Sequence, residues 1–201
     1  MSNLYTNVSG FAGGGWYDDT GASAEPVCLP PDPEFGRTSA ADLGRMYGAE
    51  FDENFFHPNA ASEDVPCAVC RVKLASSVIM IPGKATCNFG WTKEYHGYLG
   101  SNYHAHKASG TFVCIDIQPE FLTGGGVNHN GKLFYPVIAK CGALQCPPYK
   151  NDYPLTCVVC SKWFTKKCVN KWIIYNGYWH CLINSLSIFL REVTCAYQFK
   201  T

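Results

Sequence analysis

A chain of 201 residues with 47% apolar and 14% aromatic side chains can bury a sizeable core, which excludes general disorder. Its formal charge of zero is unevenly divided: residues 1–160 carry 10 basic and 15 acidic side chains, and residues 161–201 carry 6 and 1. The basic residues of the body are scattered singly, so no cationic stripe is available to neutralise phosphates, and nucleic-acid binding is excluded as the main activity.

In chain order, residues 1–10 hold neither the basic nor the apolar region of a signal peptide, and they contain the single N-glycosylation sequon, Asn7-Val8-Ser9. Gly13, Gly14 and Gly15 read as a loop, as do Pro30, Pro31 and Pro33. Residues 40–46 are the best helix candidate before residue 160, at about two turns. Residues 77–81, stopped by Pro82, and 111–117, stopped before Pro119, read as strands. Gly124, Gly125 and Gly126 form another predicted loop. The body is therefore expected to be all-β.

Composition changes near residue 161. All 12 prolines and 18 of the 19 glycines precede Ser161, whereas three of the five tryptophans follow it. Residues 172–190 carry no charge over 19 positions, nearly enough to cross a bilayer, but Asn176, His180 and Asn184 weigh against a span. Residues 163–201 thus have three readings: a membrane segment, a packed extension, or an error of gene prediction that joins an unrelated hydrophobic and basic tail.

The body repeats itself. Cys67-Ala68-Val69-Cys70 returns as Cys157-Val158-Val159-Cys160 at an offset of 90. Gly10-Phe11 returns as Gly97-Tyr98 at offset 87, and Cys28 with Pro33-Glu34-Phe35 returns as Cys114 with Pro119-Glu120-Phe121 at offset 86. Order and spacing both hold, which predicts a tandem duplication: residues 1–72 as a first copy, incomplete at its N-terminus, and residues 73–162 as a second. Two similar β-subdomains are expected.

Twelve cysteines imply disulfides in an oxidising compartment or structural metal. Cys70 and Cys157 lie 87 positions apart, far beyond the roughly 15 to 20 residues that separate the cysteine pairs of a zinc ribbon, so disulfides are favoured. Cys87 leads the second copy, and its equivalent in the first falls just before Met1. Truncation upstream would account for both the missing signal peptide and the odd count of nine cysteines in residues 1–160.

These residues, together with Tyr47 to Glu50, Asp64 to Arg71, Ser76 to Pro82, Phe112 to Asp116, Asn130 to Phe134 and Cys141 to Tyr149, resemble the C-terminal non-collagenous domain of spongin-type short-chain collagens. That domain is itself similar to the corresponding domain of type IV collagen. The resemblance covers residues 9–162. It implies nested pairing of Cys87 with Cys160 and Cys114 with Cys157, a Cys141–Cys146 loop, and Cys28 with Cys67. By the same logic the partner of Cys70 would lie upstream of Met1, and the Cys141–Cys146 loop has no counterpart in the first copy. No Gly-X-Y repeat occurs in the chain.

Competing chemistry finds little footing. His104 and His106 would share a face on a strand, but between Gly100 and Gly110 they read as exposed loop residues. Asp18 with Asp19 and Glu63 with Asp64 lack the alternating oxygen ligands of a calcium loop. The glycine runs lack the lysine and helix of a phosphate loop. No activated nucleophile or cofactor cradle emerges, so no catalytic residue, metal or cofactor is expected and the chain is read as a non-enzyme. The resemblance implies a secreted extracellular-matrix module that associates with like domains and with collagenous chains, with no membrane partner expected and with Tyr98 and Phe134 as contact candidates. The alternative is a secreted lectin-like protein that binds glycans through residues 100–110 or 124–131.

Overall fold

The computed structural model describes residues 4–36, 41–72, 75–163, 172–175 and 178–181. Among them are twelve strands and no helix: β1 (Leu4–Gly14), β2 (Val27–Leu29), β3 (Tyr47–Phe51), β4 (Glu63–Asp64), β5 (Pro66–Val72), β6 (Ala75–Pro82), β7 (Thr92–Ser101), β8 (Val113–Asp116), β9 (Lys132–Pro136), β10 (Thr156–Trp163), β11 (Trp172–Tyr175) and β12 (Tyr178–Cys181).

Ten strands form one sheet in the order β2-β1-β3-β9-β7-β10-β6, with β4 on β3, β5 on β1 and β8 on β7. β10 is flanked on both sides, by β6 and β7, and its run Cys157 to Ser161 is buried throughout rather than alternating. β6 has one neighbour among the described strands and alternates instead, with Val78 and Met80 packed inward and Ile79 outward. Residues 1–72 and 73–162 do not form separate sheets. They meet where β3 runs parallel to β9, pairing Ala49 with Lys132 and Phe51 with Phe134.

Within that sheet the two halves carry matching registers. Gly10 faces Cys67, Ala12 faces Cys28 and Gly13 faces Gly48; Gly97 faces Cys157, Leu99 faces Cys114 and Gly100 faces Pro136. The ladders slip at matching places too: β1–β5 passes over Asn7, and β7–β10 passes over Glu94. Two clusters make the core. One is built on Phe51, Phe56, Val65, Ile115 and Phe134, and the other on Tyr95, Leu99, Cys114, Cys157 and Val159.

Several expectations need correction. Gly13 and Gly14 belong to β1, not to a loop, because the strand runs close against the Tyr47 carbonyl and the Lys132 side chain. Residues 41–46 are turn and extended chain, with no helix. Phe134 is fully buried, so it offers no contact surface, and Tyr98 is partly buried against the first core cluster. Phe134 is covered because it lies in the β3–β9 seam beside Phe51. In the tail, β11 and β12 pair antiparallel, and residues 176–177 and 182–190 of the uncharged run lie outside the described residues. No helix among the described residues is long and apolar enough to cross a membrane.

Candidate functional site

Four disulfides form: Cys28–Cys67 and Cys114–Cys157 join strands of the sheet, Cys87–Cys160 fastens the β6–β7 connection to β10, and Cys141–Cys146 closes a loop between β9 and β10. Cys28–Cys67 ties β2 to β5 across β1, and Cys114–Cys157 ties β8 to β10 across β7. Cys70 is buried on β5 opposite Thr6, the position that on β10 is held by Cys160 opposite Lys93. Asn7 sits at the slip in the β1–β5 ladder.

The predicted polar loops are not loose. In residues 102–110, Asn102 Nδ2 donates to the carbonyls of Ala108 and Ser109 at 3.0 and 3.2 Å, and Lys107 Nζ lies 2.8 Å from Asp18 Oδ2. The Ala108 N–H donates to the Tyr17 carbonyl. Residues 124–126 are held by the Asp64 N–H, which donates to the Gly125 carbonyl. His104 is exposed, whereas the half-buried His106 ring packs 4.5 Å from Tyr17 and 5.1 Å from Tyr103. Asn102 Oδ1 and His106 Nδ1 are buried atoms without a hydrogen-bond partner.

From His106 an aromatic chain crosses the molecule. Tyr17 meets Trp16 at 5.3 Å, Trp16 meets Tyr47 at 5.0 Å, and Tyr103 meets Tyr135 at 5.5 Å. Tyr135 Oη donates to Asp52 Oδ2 at 2.6 Å, and burial together with that carboxylate pushes the phenol above its usual range.

Trp16 opens onto a cleft of about 480 Å³ between residues 15–23 and 42–45. One wall carries a two-point ion pair: Arg45 Nε donates to Asp42 Oδ1 at 2.8 Å and Arg45 Nη2 to Asp42 Oδ2 at 2.7 Å. The opposite wall offers Asp19, Thr20 and Ser23. Sequence reading missed this cleft. Its signals were the Trp16-Tyr17 pair after the glycine run and the acid and arginine three positions apart within residues 40–46, the segment read as a short helix.

Among the charged side chains that are buried or partly so are Glu50, Asp64 and Lys132. Glu50 accepts the N–H groups of His129 and Asn130 at 2.9 and 3.2 Å, yet burial raises its pKa. Burial also raises that of Asp64, its partner on β4. Lys132, 1% exposed, donates from Nζ to the Ala24 carbonyl at 3.2 Å, and burial pulls its ammonium down to about 8. No group of three or more metal-ligating side chains occurs among the described residues. No family model matches the sequence, and no solved structure matches the chain.

Proposed function

We propose that the chain is a secreted extracellular-matrix module, a collagen-associated non-collagenous domain that holds like domains and their collagenous chains together. The observation that carries this reading is the disulfide framework, in which Cys28–Cys67 and Cys114–Cys157 fasten matching strands at matching registers. A tandem duplication of residues 1–72 and 73–162 is the simplest source of that match, and it is the arrangement of the domain that the sequence resembles. Disulfides of this number persist in oxidising compartments, which supports secretion.

The mechanical role follows from the build. A domain closed by four disulfides, three of them anchored in the sheet, resists unfolding outside the cell, and its exposed apolar side chains Phe35, Phe89 and Phe112 would supply contact area for like domains. The test is to append the chain to a short Gly-Pro-Pro repeat and follow triple-helix melting by circular dichroism. The expected result is a cooperative triple helix that the repeat alone does not hold. Melting identical to that of the isolated repeat would reject the role in chain association.

A further inference from the structure

We infer that the cleft beside Trp16 is a binding site for a neutral saccharide. This inference stands apart from the matrix reading, since neither chain association nor collagen enters it. It also places glycan recognition at a site other than residues 124–131, of which Gly125 approaches Asp64 and Gly126 approaches Glu63.

The volume of about 480 Å³ falls within the roughly 300–1,000 Å³ of small-ligand clefts. Trp16 packs against both Tyr17 and Tyr47 while lining the cleft, so its indole is held in place as an apolar surface of the kind that receives the C–H face of a pyranose. Around it the walls supply what hydroxyl groups need. The Asp19 and Asp42 carboxylates accept hydrogen bonds, the Arg45 guanidinium donates them, the Thr20 hydroxyl does both, and the Ser23 hydroxyl, which donates to the Glu25 carbonyl at 3.3 Å, accepts.

Charge selects against the main competitors. Two carboxylates face one guanidinium, and that guanidinium is already bonded to Asp42 and lies 3.5 Å from Tyr47 Oη. The cleft is therefore net negative, with no cation spare for a phosphate, sulfate or uronate group. A purely apolar ligand would strip water from two carboxylates without replacing their hydrogen bonds. A neutral polyol with one apolar face satisfies both the ring and the rim.

The test is saturation-transfer NMR on the intact, oxidised chain with chitotriose, cellotriose and maltotriose as neutral probes and a sulfated heparin tetrasaccharide as the anionic probe. Transfer to the pyranose C–H protons of at least one neutral probe is expected, with binding weakened about tenfold by Trp16→Ala and unchanged by Phe89→Ala. Should Trp16→Ala fail to fold, Asp19→Asn alters an exposed cleft carboxylate and should weaken the same signal. No transfer to any neutral probe, binding indifferent to both cleft variants, or binding of the sulfated probe alone would each overturn the assignment.

Discussion

A Cβ placed on Gly97 would lie 1.9 Å from the carbonyl oxygen of Ile115, the residue that follows Cys114. The same contact recurs in the first half, where a Cβ on Gly10 would lie 1.8 Å from the carbonyl oxygen of Leu29, which follows Cys28. The obstacle is backbone in each case, held by a disulfide-bonded strand, and it cannot swing aside as a side chain would. Gly97→Ala and Gly10→Ala should each cost more than about 4 kcal/mol, seen as loss of the folded, oxidised protein. Gly48→Ala, in a strand with nothing within 4 Å of the new Cβ, should change stability by no more than about 0.5 kcal/mol. Equal tolerance at all three positions would refute the close approach.

The disulfides should differ in weight by the length of chain they close. Cys87–Cys160 spans 73 residues and Cys141–Cys146 spans 5. Replacing both cysteines by serine should cost about 4 kcal/mol at the first and about 2 kcal/mol at the second, with Cys28–Cys67 and Cys114–Cys157 near the upper value. Urea unfolding of the four double variants measures the order, and a larger loss at Cys141–Cys146 than at Cys87–Cys160 would contradict it.

Lys132 predicts an unusual pH response. Its folded-state pKa is about 8 against an ordinary 10.5. Below about 8 the buried ammonium is charged and destabilises the fold in full; between the two values the unfolded chain holds a proton that the folded chain has released, so stability rises with pH. Lys132→Met keeps the volume, removes that cost and forfeits the bond to the Ala24 carbonyl. It should stabilise the protein by about 1–2 kcal/mol at neutral pH, with the gain shrinking toward pH 10.5, as read by chemical denaturation. A variant less stable than the parent at both pH values would contradict this account of the lysine.

The Tyr135–Asp52 bond locks β9 to the end of β3, across the seam between the halves. Tyr135→Phe should cost about 1.5–3 kcal/mol, since the acceptor is charged. The phenol ionises above its ordinary 10.0 in the folded state, so its contribution is complete below that value and is lost as pH climbs past it. The alkaline loss of stability should therefore be shallower in the variant than in the parent, as followed by melting temperature across that range.

Much of the β character was legible because turn formers and short apolar runs bound strands such as β6 and β8 in the sequence itself. The four cysteine pairs were reachable only through the resemblance, since spacing alone leaves many connectivities open. What the sequence could not disclose is tertiary. Gly13 and Gly14 look like a loop until the strand is seen pressed against Tyr47 and Lys132, and Phe134 looks exposed until β9 is seen beside β3. The Trp16 cleft is likewise assembled from two segments, and neither carries a motif on its own.

The proposal that this oxidised domain works by associating with its like is tested most directly by sedimentation equilibrium of the 201-residue chain with its disulfides mapped and intact. The account predicts a reversible species at a whole multiple of the chain mass, dispersed when Phe35, Phe89 and Phe112 are replaced by serine. A single-chain species at every concentration, with all four disulfides formed, would contradict it.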